Sequence, residues 1–224
     1  MGKRKRKSST RRSRKRRRKR KRPVLFSKYS PIPAKTMATL RYNECVAINP
    51  PASGLFIYYA FNATSLFDPN FSGAGHQPYG FDQIAQFYDH YTVHKARIKV
   101  RFNHGNTVAS VPIFCSVIVD DANSTAMASP EHVMESGTAR YRILLPDSSK
   151  SCRVSTSVNV KKFLGKNRFV SATAATGASP SENVYFILAI AGICGNSADP
   201  PAIYAQVQIE YDCEFNERKD IGQS

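Results

Sequence analysis

From Ile203 to Phe215 the chain alternates without a break. Ile203, Ala205, Val207, Ile209, Tyr211, Cys213 and Phe215 share one side, and Tyr204, Gln206, Gln208, Glu210, Asp212 and Glu214 share the other. Only an extended strand repeats every two residues, so this run excludes a helix and requires a sheet with one buried and one wet face. A second run has the same period, with Ala96, Ile98, Val100 and Phe102 opposing Lys95, Arg97, Lys99 and Arg101. The two strands offer one acidic and one basic outer face.

Short β patterns bounded by turn residues occur at 38–48, 54–62, 92–103, 111–120, 139–145, 153–163, 184–194 and 202–215. Two of them, around Leu55 to Phe61 and Val184 to Cys194, are apolar on both faces, which requires cover from long loops of the same chain or from neighbouring subunits. Helical spacing of Phe81, Ile84, Ala85 and Tyr88 predicts a helix over 81–88, and Pro130 suits the first turn of a second over 130–135. The Ala/Ser/Thr/Gly-rich stretch 171–181 reads as a long exposed loop. Eight strands with uneven loops suit an all-β sandwich, either a jelly roll or an immunoglobulin-like fold.

Residues 3–22 pose the opposite case. They hold Lys3, Arg4, Lys5, Arg6, Lys7, Arg11, Arg12, Arg14, Lys15, Arg16, Arg17, Arg18, Lys19, Arg20, Lys21 and Arg22, with no acidic and no apolar side chain. Nothing there offsets the entropy of ordering the chain, and the like charges repel, so a disordered arm is expected. Sixteen of the chain's 33 basic residues fall in it, leaving 17 against 16 acidic ones in the body. Charge is thus segregated: a polycation is followed by a nearly neutral domain. An Arg-rich run releases counterions on meeting a polyanion, which makes nucleic acid the expected partner; the same run also reads as a nuclear-import signal. It lacks the apolar face that a membrane-surface helix needs, and no stretch is long enough to span a bilayer or reads as a secretory signal. The expected division is an arm and Pro-rich tether over 1–35 and one β-sandwich domain over 36–224.

Chemistry-bearing motifs are sparse. Cys45, Cys115, Cys152, Cys194 and Cys213 are odd in number and widely spaced, so they read as buried small apolar residues rather than a disulfide or zinc framework. His90 and His94 have the spacing of two helical metal ligands, but the predicted helix ends before His94. Asp120 and Asp121 at a strand end suit either solvation or a calcium ion between subunits. No nucleophile elbow or phosphate-binding glycine loop is present, so no catalysis, cofactor or metal is expected.

The segment Gly75-His76-Gln77-Pro78-Tyr79-Gly80-Phe81-Asp82-Gln83, followed by Tyr88 and the strand Val93 to Phe102, resembles capsid proteins of small circular single-stranded DNA viruses, the circovirus-like group. The Arg-rich amino terminus and the closing strand from Gln208 to Asn216 fit the same pattern, whereas the absence of Trp and most loop sequences depart from it. The resemblance implies a jelly roll, a T=1 icosahedral virion shell of about sixty copies, and arms turned inward to the DNA. It also makes the strands at 92–103 and 202–215 neighbours in the sheet facing the lumen. Lys95, Arg97, Lys99 and Arg101, helped by Arg153 and Lys161, then form either a second DNA-contacting surface or a set of cross-strand pairs with Glu210, Asp212 and Glu214. Tyr79 and Phe81 are expected to be anchors and His76 a structural or interface residue. Sixteen charges on each of about sixty subunits would neutralise on the order of a thousand phosphates, the scale of a very small genome.

Overall fold

The computed structural model describes residues 31–52, 54–105, 111–124, 127, 129–146, 151–193 and 199–220; the basic run 3–22 and Cys194 lie outside them. The chain divides into two units, Met1–Pro31 and Ile32–Ser224, and the elements below belong to the second.

Among the described residues nine strands and three helices follow one another as β1 (Lys35–Ile48), β2 (Ile57–Asn62), α1 (Phe81–Ala85), β3 (Tyr88–His104), β4 (Ile113–Asp120), α2 (Pro130–Glu135), β5 (Ala139–Leu144), β6 (Ser151–Asn159), α3 (Val160–Val170), β7 (Thr173–Ala175), β8 (Tyr185–Gly192) and β9 (Ile203–Arg218). One sheet has the order β1-β9-β3-β6, with β7 also on β3; the other has the order β2-β8-β4-β5. All pairings are antiparallel. Setting β7 aside, that interleaving of early and late strands is the jelly-roll order and rules out an immunoglobulin-like arrangement.

Both alternating runs behave as their period requires. Ala96, Ile98, Val100 and Phe102 of β3 and Ile203, Ala205, Val207, Ile209, Tyr211, Cys213 and Phe215 of β9 are all buried between the sheets. Just ahead of His94, Tyr91 and Val93 reach the main core, and from Ala96 to Phe102 the even-numbered residues do. A register shift against β9 between Val93 and Lys95 reconciles the two. The extra residue, His94, forms a bulge that turns Lys95, Arg97, Lys99 and Arg101 to the outer face.

The second sheet is buried on both sides, as its apolar runs demanded. Cys115, Val117, Phe186, Leu188 and Ile190 face the main core. Phe114, Ile118, Ile187 and Ala189 face outward into a smaller cluster closed by Val133 of α2, with Phe56 and Met127 packed against it. At least part of the cover is therefore the chain's own. Ser129 caps α2 by accepting from the backbone N–H of His132, and the Tyr58 hydroxyl donates to the carbonyl of Met127 across the sheet.

Several boundaries differ from expectation. Lys35 already pairs with Asn216, so the tether gives way to β1 earlier than 38. The first helix ends at Ala85, and Tyr88 opens β3. The predicted strand over 153–163 turns into α3 at Val160, because the Asn159 side chain accepts from Lys162 N–H as an N-cap while Val160 and Leu164, four apart, bury on one side. Gly165, at φ 77, then kinks this helix. The stretch 171–181 is not wholly an exposed loop, since Thr173–Ala175 pairs with β3 and Ala172 and Ala174 are buried. Cys45 is exposed, unlike Cys115 and Cys213. Burial pushes the Cys213 thiol up to about 12.

Candidate nucleic-acid interface

Side chains on the outer face of the first sheet follow directly from its register. Arg97 stands opposite Glu210, Lys99 opposite Gln208 and Arg101 opposite Gln206. Lys95 stands opposite Asp212, which pairs with Arg97 instead, and beyond Glu210 the residues of β9 that face the bases are amides. Arg97 Nη2 lies 2.9 Å from Glu210 and 2.8 Å from Asp212. Glu210 is shared with Arg41 at 3.4 Å, and Glu214 binds Lys35 at 2.6 Å and His94 at 3.7 Å. The Lys35 ammonium holds the Glu214 carboxyl below the usual glutamate range.

Lys95, Lys99 and Arg101 have no carboxylate within 4.0 Å among the described residues, and Arg101 donates instead to the Ser151 hydroxyl at 3.1 Å. Of the four bases expected on this face, Arg97 is paired with carboxylates and the other three are not, among the described residues. Lys99 and Arg101, joined by Arg153 of β6, line a shallow depression of about 620 Å³ with Asn43, Gln206 and Gln208. Lys161, expected beside Arg153 on a strand, stands instead on α3, 5.9 Å from the Phe169 ring centroid.

A second group of bases is not singled out by sequence pattern. Arg140 stands opposite Val117 and Arg142 opposite Cys115, and directly opposed residues share a sheet face. Both arginines therefore lie on the inter-sheet side of β5, at the edge where the sandwich meets β6. The alternation over 139–145 announces a strand; it does not say which set turns inward. A count by segment would have found the group, because residues 139–170 hold eight basic residues and one acidic residue. The near-neutral total of the body conceals this local excess.

The distinctive segment before α1 is structural at one end and exposed at the other. Tyr42, wholly buried on β1, donates to Glu44 at 2.5 Å, and Asn70 Nδ2 donates to both Glu44 oxygens at 3.0 Å and to the Tyr59 hydroxyl at 2.8 Å. This network supplies partners for a carboxylate on the inner side of a strand. A Cβ on Gly75 would fall 2.5 Å from the Tyr42 hydroxyl, so only glycine fits there. The His76 ring packs on Tyr42 with centroids 4.7 Å apart and lies 3.0 Å from the Asn43 carbonyl, which gives it a structural role. Phe81 is buried against Tyr91, whereas Tyr79 is 94% exposed and anchors nothing within the described chain.

His90 and His94 both stand on β3 and pair with Glu217 and Glu214. Asp120 accepts from the N–H groups of Asp121 and Ala122, and Asp121 binds Arg168 at 2.9 Å. Among the described residues no three His, Cys, Asp or Glu side chains converge as metal ligands, and no helix is long and apolar enough to cross a membrane.

No family model and no curated protein matches the chain. Among solved structures it is similar to a chain of Desmodium yellow mottle tymovirus, at 11% identity over 92% of this chain and 100% of that one, TM-score 0.41. It is similar to a chain of the semi-empty virus-like particle of the giant freshwater prawn Macrobrachium rosenbergii nodavirus, at 12% identity over 87% and 100%, TM-score 0.46. It is also similar to the decameric BFDV capsid protein, at 16% identity over 82% and 99%, TM-score 0.45.

Proposed function

We propose that this chain is the coat protein of a small virus, which assembles copies of itself into an icosahedral shell and packages nucleic acid through its basic arm. The observation that carries this reading is the sixteen-charge run a dozen residues before the first strand of a jelly roll whose remaining charges nearly cancel. A cellular protein that binds nucleic acid through its folded body would spread its excess charge over that body. Exposed Leu55, Tyr79, Ile143 and Leu145 add apolar surface suited to subunit contacts.

In finer detail the reading is a T=1 shell of about sixty subunits around single-stranded DNA, with the arm also serving nuclear import so that assembly takes place in the host nucleus. An extended arm of this length reaches roughly 70 Å, far into a small lumen. Lys95, Lys99 and Arg101 would add contacts from the folded domain. Electron microscopy of the expressed full chain tests the main claim: uniform small shells are expected, and persistent monomers would overturn it. Digestion of the packaged nucleic acid by DNase or by RNase separates the DNA reading from an RNA-virus or satellite coat.

A further inference from the structure

We infer that the open edge between β5 and β6 is a binding trough for single-stranded nucleic acid, distinct from the arm. This rests on the reading of the chain as a nucleic-acid-packaging coat protein and assigns a second contact within the folded domain.

Three depressions adjoin along this edge. One of about 450 Å³ is lined by Arg140, Lys162, Phe163, Thr156, Ser157 and Asn159. The next, of about 410 Å³, adds Arg97 and Lys99 to Arg140 and the same hydroxyls. The last, of about 260 Å³, brings Arg140, Tyr141, Arg142, Arg153 and Ser155 together. Arg140 lines all three, so they form a continuous trough, and among the described residues no carboxylate lines any of them. Six basic side chains converge there, and among the described residues only Arg97 has an acidic partner within 4.0 Å.

An inward-pointing charge on an edge strand has a simpler use, which is to stop the edge from pairing with another chain. One or two charges are enough for that. Six, drawn from β3, β5, β6 and α3 with hydroxyls between them, exceed what edge protection needs and match a polyanion. Arginine forks suit phosphate oxygens, and the Ser and Thr hydroxyls and the Asn159 amide offer further donors. One aromatic ring borders the trough, Phe163, 39% exposed; Tyr141, stacked on Phe114 at 5.4 Å, lies on the opposite face of β5 from Arg140 and Arg142. A half-exposed ring beside a basic groove offers a platform for base stacking, one of the means by which single strands are held without sequence preference. A duplex keeps its bases paired inside and would leave that ring unused.

The test uses the full chain and a photoreactive oligothymidylate. Cross-links are expected within 139–163 as well as within 3–22. In a salt titration, the triple variant Arg140→Gln, Arg142→Gln, Arg153→Gln should bind with a log–log slope shallower by about two, at roughly 0.7 per lost phosphate contact on a single strand. Cross-links confined to the arm with an unchanged slope would overturn the inference while leaving the coat reading intact. Absence of any salt-dependent binding by the wild-type chain would instead remove the coat reading itself. A variant that binds with the wild-type slope but no longer forms shells would assign the trough to a neighbouring subunit and likewise overturn the inference. Should the triple variant fail to fold, the wild-type cross-link map decides alone.

Discussion

The two sheets of the sandwich solve the problem of their outer faces in opposite ways. On the first, β3 and β9 present charged and amide side chains to water and neutralise part of that charge across the register, at Arg97 with Glu210 and Asp212. On the second, β4 and β8 are apolar outside as well as inside and are roofed by α2 and the segments around Phe56 and Met127. The first face needs nothing further for stability, so its sequence is open to selection for binding. The second cannot be uncovered without a large loss, because each fully buried Phe or Ile side chain is worth about 1.5–3 kcal/mol.

The comparison breaks most readily at Phe114. Phe114→Ala should cost about 3–5 kcal/mol in denaturant unfolding, because the ring is buried and stacks on Tyr141. A loss below 1 kcal/mol would mean that the roof is not part of the folded core. Ser129→Ala removes the cap of α2 and should cost about 1 kcal/mol. Amide exchange should then quicken in α2 and remain unchanged in β3 and β9; equal quickening everywhere would deny the roof its independence.

On the charged face the expected effects are smaller. The folded-state pKa of Glu214 is depressed, chiefly by the hydrogen bond from Lys35. Its contribution is therefore fully present above the unfolded glutamate value of about 4.3 and disappears as pH falls through the lower folded value. Lys35→Gln should lower the melting temperature slightly at neutral pH and leave it unchanged at pH values below the folded Glu214 pKa, so that the acid limb of the thermal melts flattens. Smallest of all should be Arg97→Gln, which leaves Glu210 and Asp212 facing each other near the surface. Its melting temperature should fall slightly at low salt and recover as salt is added; a loss insensitive to salt would mark Arg97 as a packing residue.

The fold was legible where side chains alternate strongly between apolar and charged, as on β3 and β9, because the pleat makes that pattern nearly unambiguous. Legibility failed where other forces choose the conformation. Ala172 to Ala175 carry little intrinsic strand signal, and β7 exists because their small side chains fit beside β3. The turn into α3 was written only in Asn159, a residue equally at home in a loop. In the candidate site, the basic face of β3 was visible, but its partial neutralisation depended on which residues of β9 stand opposite. Arg140 and Arg142 were hidden for a related reason: the face taken by an edge strand is set by its neighbour's register.

The pairing of β1 with β9 joins Lys35 to Asn216, nearly the whole length of the domain apart in sequence. During synthesis at about 5–20 residues per second, β1 therefore waits on the order of ten seconds or more for its neighbour in the sheet. The basic run leaves the ribosome before either. Such a chain meets cellular polyanions as a tail without a closed sandwich behind it. Late closure by β9 then becomes the step that converts a sticky nascent polymer into a unit with shape, and a translational pause before residue 203 would prolong the vulnerable interval.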